Sequence, residues 1–351
     1  MRVSSNQSQF QSFDAINKHQ QAIMDVQEKL STGKRVNRPG DDPIAMNQIH
    51  SLNKSINTLT QFEKNGQFAK SQLVQEETAI SGTIDGIQRA RELAILMKND
   101  TYGANDRKAT ALEIGQIIEQ VKNTMNYTNS EGEKLFAGNS VNVAEAFVPD
   151  PNNPGYYAYV GSTNSTVGAA TAAIDVQANF GARFVQIGFD ADNQLDAGDL
   201  GDSSRVRITD NGDRVFKVPN ATTQFVDDPA GTPPVALNPQ PDANILNILV
   251  EFQKTLQAGK APADNLVTDM DKSLTQLADI RAEIGGRQNR IDAQYDAGQT
   301  FKLSLEERKM NIEQMDLVQG ISTLTQHQNA LQIAQQIFSK VQNSSLFNFI
   351  N

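Results

Sequence analysis

Cysteine and tryptophan are both missing from this 351-residue sequence. Without cysteine there can be no disulfide framework, thiol nucleophile or thiolate metal site. No apolar run approaches the ~20 residues of a membrane span. The opening Met-Arg-Val-Ser-Ser-Asn-Gln lacks an apolar core, so no secretory signal is expected there. The three histidines, His19, His50 and His327, fall on different predicted helices without metal-ligand spacing, so no zinc centre is expected. No glycine-rich phosphate loop or dinucleotide fingerprint occurs, and no basic stripe suits a nucleic acid. No triad or paired-carboxylate arrangement stands out. The sequence therefore points away from an enzyme and from any cofactor or metal.

Charge is also scarce where it would normally be plentiful. The last 35 residues, Leu317 to Asn351, carry one formal charge, Lys340. They still read as an amphipathic helix, with Leu317, Ile321, Leu324, Leu331 and Phe338 on one 3-4 spaced seam. Ala330, Ala334, Ile337 and Val341 make a second seam beside it. A helix facing water on one side normally carries charges there. Two apolar seams in an uncharged remainder suit a helix surrounded by protein. The other end matches it, because Phe13, Ile16, Ile23, Val26 and Leu30 hold helical spacing and charges are thin before Asp25. The two ends are expected to pair with each other, and then with copies of themselves.

Nine of the 12 prolines lie between Pro149 and Pro241, which separates two helical arms from an irregular or β middle. The first helix is predicted to end around Ser31-Thr32-Gly33, and Asp42-Pro43 makes an N-cap and first-turn pair for the next. From there Ile49, Leu52, Ile56, Leu59, Leu73, Ile80, Ile84 and Ile87 repeat at 3-4 spacing, a helix of ~85 Å to about Asn99. Glu63, Lys70, Glu77 and Arg91 fall on the same register and weaken the seam. After a turn at Tyr102 to Asn105 a shorter helix follows.

The second arm is predicted from Asn244 to Gly259 and again after Pro262, with a register shift near Asp296 to Thr300. Helices this long need antiparallel partners from the other arm. In the middle, Tyr156–Val160 and Ala182–Phe189 read as strands. Arg205–Thr209 and Arg214–Val218 read as a hairpin about Asp210-Asn211-Gly212-Asp213. The segment Val141 to Ala243 holds 13 acidic and five basic residues against a chain total of −10, as a solvated outer surface would. Its run Asp190, Asp192, Asp196, Asp199 and Asp202 misses the EF-hand pattern, since Leu195 and Gly201 stand where Gly and Glu are needed.

One stretch, Leu30-Ser-Thr-Gly-Lys-Arg-Val-Asn-Arg-Pro-Gly-Asp-Asp-Pro43, closely resembles the segment after the first helix in the bacterial flagellin superfamily. Arg35, Asn37, Arg38, Pro39, Asp41, Asp42 and Pro43 carry the likeness. Arg38-Pro39 ahead of the paired aspartates, with the start Met1-Arg2-Val3-Ser4, is similar to the superfamily's hook-filament junction proteins rather than to flagellin proper. Arg281 to Ile291, with Asn289 and Arg290, is similar to the family's Gly-x-x-x-Asn-Arg stretch, and Asp210 to Phe216 resembles an outer-domain segment. Gly132 to Gly138 departs from the usual end of the arm. Gln88 to Ala94 resembles a flagellin segment recognised by an innate immune receptor, although helix-surface contacts already explain its spacing.

The resemblance covers about residues 1–138 and 244–351. It implies a mainly α fold, an elongated antiparallel long-helix bundle or coiled coil built from both chain ends, with an inserted β-rich outer domain. Residues 1–35 plus 305–351 would form a terminal coiled-coil inner domain. Residues 36–140 plus 244–304 would form a helical rod, and 141–243 the acidic outer domain. Assembly contacts would fall on Phe13, Ile16, Ile23, Leu30, Leu317, Ile321, Leu324, Leu331, Ile337 and Phe338. The implied function is a structural adaptor, a ring between hook and filament on which flagellin polymerises, with a minor flagellin as the alternative. Implied partners are copies of itself, hook-associated protein 1, flagellin and a chaperone of the flagellar type III export apparatus. The implied location is the extracellular flagellum.

Overall fold

The computed structural model describes residues 2–129, 132–138, 145–159, 183–189, 204–231 and 234–350. The described helices are α1 (Arg2–Thr32), α2 (Pro43–Met97), α3 (Ala104–Met125), a short α4 (Gly212–Phe216), α5 (Ile245–Gln257), α6 (Asp264–Glu313) and α7 (Leu317–Ile350). Four three-residue strands, β1 (Phe147–Pro149), β2 (Tyr157–Tyr159), β3 (Phe184–Gln186) and β4 (Arg205–Arg207), form two antiparallel ribbons. The mainly α fold with a small strand-bearing insert is the one expected. The chain divides into two compact units, residues 1–59 with 299–351, and residues 60–298.

In the unit of residues 60–298, three of the charges that seemed to weaken the α2 seam, Lys70, Glu77 and Arg91, find partners on α6, as does Lys98. Lys70 lies 2.7 Å from Asp292 and Glu77 3.2 Å from Arg281, while Arg91 pairs with Asp271 and Lys98 with Asp264. As the α2 number rises the α6 number falls, so the two helices run antiparallel. Exposed pairs of this kind stabilise by only ~0–1 kcal/mol each, but together they fix the register. Between them lies the apolar part of the seam, with Leu73, Ile80 and Ile87 of α2 and Leu277 and Ile284 of α6 almost wholly buried.

Helix α3 packs on α5, and both are bounded as their residues dictate. Asp106 accepts the Gly103 N–H at 2.9 Å, and Asn244 accepts the Asn247 N–H at 2.8 Å. Gly259 ends α5 at φ +73°, and a Cβ there would lie 2.8 Å from that of Ala104, so glycine is needed for both conformation and space.

The predicted hairpin is not formed. β4 pairs instead with β3, Phe184 opposite Arg207 and Val185 opposite Val206. Residues 212–216 close a single helical turn capped by Asn211, whose side chain accepts the Asp213 N–H at 2.8 Å. Asn-Gly serves either a two-residue turn or an N-cap. Burial decides for the cap, because Val215 and Phe216 are fully buried. A Cβ at Gly212 would sit 2.8 Å from the Phe147 ring and 2.9 Å from the Phe136 carbonyl oxygen, so that contact admits only glycine.

The register shift expected near Asp296 to Thr300 also lies elsewhere. α6 continues through these residues, since nothing in them removes a backbone hydrogen bond. The break falls at residues 314–316, where Asp316 accepts the Val318 and Gln319 N–H groups at 2.9 and 3.2 Å and so starts α7. The aspartate run at 190–202 lies outside the described residues.

Candidate assembly interface

Helices α1 and α7 pack along one another within the unit of residues 1–59 and 299–351. Ile16, Ile23 and Leu30 on α1, and Leu324, Leu331 and Phe338 on α7, are half-buried. Phe13, Leu317, Ile321 and Ile337 are 56, 54, 58 and 50% exposed. The predicted set is therefore split into one stripe that turns inward and another that stays bare. On α7 the split does not follow the two seams read from sequence. Ala330 and Ala334 of the second seam are half-buried, whereas Leu317 and Ile321 of the first are open. Phe10, Val318 and Ile333 are also mostly exposed. Among the α1 residues whose side chains are described, Val26 is the one that is buried. Gly320 allows close approach at the end of the pair, where a Cβ would meet Leu30 at 2.8 Å and Met315 at 2.6 Å.

Sequence reading placed His19 and His327 on separate helices and gave no reason to join them. The structure brings them together across the pair, Nδ1 to Nδ1 at 3.3 Å with ring centroids 5.6 Å apart. Neighbours of like type at positions 308 apart leave no short-range signal.

The Arg35–Pro43 motif is a clasp between the two chain breaks of this unit. α1 ends at Gly33, φ +70°, and the next residues run beside 312–315. The Arg35 N–H donates to the Glu313 carbonyl at 2.7 Å and the Met315 N–H to the Gly33 carbonyl at 3.0 Å. The Arg35 guanidinium donates to the Ile312 carbonyl at 3.1 Å and to Asp42 at 3.2 Å. Asp42 also accepts the Ala45 N–H at 3.0 Å, which makes it the N-cap of α2 with Pro43 as first residue. Asp41 accepts the Asn37 and Arg38 N–H groups, both at 2.9 Å. These backbone hydrogen bonds, from Arg38 and Asn37 to Asp41 and from Ala45 to Asp42, hold both carboxyls below the usual carboxylate range. Arg38 forks onto Glu28 at 2.8 Å through both oxygens, and Asn37 meets Thr32 at 3.1 Å. Val36, Ala45 and Ile49 form a small buried cluster beneath, and Pro39 stays exposed.

In the other unit the Asn-Arg match divides. Asn289 is exposed, whereas Arg290 donates to the Arg205 carbonyl on β4. The stronger anchor is Arg287, one turn away and unmarked by the sequence reading. It donates to the Arg207 carbonyl at 3.2 Å and pairs with Asp210, whose side chain is fully buried. Arg207 and Arg214 reach the same carboxylate at 2.7 and 3.2 Å. Burial by itself would raise the pKa of Asp210, but Arg287, Arg207 and Arg214 outweigh it and hold the carboxyl below the usual range. Glu76 of α2 is also wholly buried, and its oxygens have no hydrogen-bond donor. Burial first, and then the Asp210 charge, push it well above the usual range. In the Gln88–Ala94 stretch, Arg89 pairs with Glu92 at 3.3 Å, an i,i+3 contact expected from its spacing, and with Glu113 of α3 at 2.7 Å, which that spacing does not give.

Two family models match the chain. The bacterial flagellin N-terminal helical region matches residues 3–141, and the C-terminal helical region matches residues 267–350. Flagellar hook-associated protein 3 of Escherichia coli (strain K12) is 26% identical over 351 residues, covering 99% of both chains. The flagellin of Clostridium tyrobutyricum is 34% identical over 119 residues, covering 34% of this chain and 32% of its own. Among solved structures, flagellar hook-associated protein 3 from Legionella pneumophila shares the fold at a TM-score of 0.54 and 17% identity, over 75% of this chain and 99% of its own. With both helical ends matching the two flagellin regions and its whole length matching a hook-associated protein 3, the chain belongs to the bacterial flagellin superfamily.

Proposed function

We propose that this chain is the structural adaptor of the bacterial flagellum at the hook-filament junction, an exported, extracellular protein with an architectural rather than a catalytic role. The observation that carries this reading is the full-length match to hook-associated protein 3, set against a flagellin match limited to about a third of the chain. The α1–α7 pair supports it physically. Apolar side chains left half or more exposed on weakly charged helices gain burial only when other subunits cover them, and apolar burial is the main driving force for association.

In this reading Phe13, Leu317, Ile321 and Ile337 are covered by neighbouring copies in a ring. Ile16, Ile23, Leu30, Leu324, Leu331 and Phe338 hold the pair together. Residues 1–35 plus 305–351 form the inner domain, 36–140 plus 244–304 the helical rod, and 141–243 the outward-facing domain. By family, hook-associated protein 1 lies on one side and flagellin on the other, and a type III export chaperone shields α7 before assembly. A minor flagellin remains the alternative.

Deletion of the gene tests the proposal. Cells lacking an adaptor should keep complete hooks and release flagellin monomer into the medium. Normal filaments in the deletion strain, or indefinite filament growth from the purified chain alone, would overturn it in favour of the alternative.

A further inference from the structure

Nothing in the adaptor reading employs the histidines that meet across the α1–α7 pair. We propose that His19 and His327 form a two-histidine clasp for a divalent transition ion of the zinc type, which ties the two ends of the chain together. Two imidazole nitrogens bound at ~2.0–2.1 Å to one tetrahedral zinc stand about 3.3–3.4 Å apart. The observed Nδ1 to Nδ1 distance is 3.3 Å, so a single ion can lie at bonding distance from both nitrogens at the present helix spacing.

The surroundings suit such a site. One turn away on either side are Ile16 and Ile23 on α1 and Leu324 and Leu331 on α7, all half-buried, which flank the rings with apolar side chains. The adjacent cation, Lys18, is engaged by Asp14 at 2.9 Å. Both rings are themselves half-buried, which leaves an open side where water can complete the coordination shell. Among the described residues no cluster of three or more histidine and carboxylate ligands occurs, so the clasp rests on two protein ligands. Imidazole selects zinc, copper or nickel over magnesium and calcium, which prefer oxygen. With no ion bound, one ring donates its Nδ1–H to the other. Metal binding at both Nδ1 atoms requires that proton to sit on the ring's Nε2 instead, a change of tautomer with no proton lost.

The low background makes the test direct, because the chain has three histidines and no cysteine. The full-length protein is titrated calorimetrically with zinc chloride, and its His19→Gln, His327→Gln and His50→Gln variants are titrated beside it. One equivalent should bind to the wild type and to His50→Gln. Loss of either clasp histidine should weaken binding at least as much as the ~10- to 100-fold cost of losing an outer-shell partner. A second readout is cobalt, whose visible absorption should show nitrogen coordination in the wild type and lose it in either clasp variant. Far-UV circular dichroism confirms that the glutamine variants remain helical, and a variant that does not is replaced by the corresponding asparagine. Equal zinc affinity in wild type and His19→Gln, or no zinc binding by the wild type, would overturn the proposal.

Discussion

Replacing Glu76 by glutamine tests whether burial and Asp210 raise the pKa of this buried carboxyl in the unit of residues 60–298. The side chain is wholly buried, no donor reaches its oxygens, and ionised Asp210 lies beside it. Its folded-state pKa is therefore raised above the ordinary 4.5. For an acid raised in this way, the folded state holds a proton that the unfolded chain has released. The stabilisation is complete below the unfolded pKa and is lost as pH climbs towards the folded one. The loss amounts to ~1.4 kcal/mol per pH unit over that window. Asp210 is shifted the other way, so its contribution is present above 3.8 and disappears only in acid, outside the window. Asp242 and Glu251, raised by burial, slope in the same sense as Glu76 but are common to both proteins and cancel in the comparison.

Glutamine has nearly the same shape, carries no charge and can donate to Asp210. Glu76→Gln should thus match the wild type near the unfolded pKa and become progressively more stable above it. Urea unfolding followed by far-UV circular dichroism from about pH 5 to about pH 8 reads the difference, since the midpoint shifts with stability at constant slope. Parallel pH profiles for the two proteins would refute the reasoning.

The other predictions separate the two stripes, the Arg35–Pro43 clasp and the Arg287 anchor. Leu324→Asp or Leu331→Asp places a carboxylate against α1, so the α1–α7 pair should loosen by a few kcal/mol and motility should be lost. Amide exchange of α1 would report the loosening. Leu317→Asp or Ile321→Asp sits on the bare stripe, so the free chain should stay within ~0.5 kcal/mol of wild type while motility still fails. Retained motility would show that this stripe is not covered on assembly. Asp42→Ala removes the α2 cap and the Arg35 contact and should cost about 1 kcal/mol in thermal unfolding. Arg287→Ala leaves Asp210 buried with fewer cations and should cost about 3–5 kcal/mol, and a change under ~1 kcal/mol in urea unfolding would show that Arg207 and Arg214 alone suffice.

The long helices were legible because their signals are local. A 3-4 apolar repeat, an Asp-Pro start and a glycine end depend only on neighbours within a turn or two, so α1, α2, α3 and α5 begin and end close to where the residues predict. The motif after α1 was legible as a resemblance, but its work was not. Arg35 contacts residues 277 or more positions away, and only the folded chain sets Gly33 beside Met315. Tertiary packing alone decided which side chains of α7 turn to α1, because the split runs across both apolar seams and not between them. It also turned three of the charges on the α2 seam from apparent defects into register-setting pairs with α6. The strand of residues 205–207 chose a partner upstream instead of the predicted hairpin because burying Phe216 favoured a helical turn over a strand. Glu76 and the two histidines lay beyond sequence reasoning for the same reason. A buried carboxyl and a cross-helix imidazole pair are defined by partners at long sequence separation, which amphipathic periodicity does not encode.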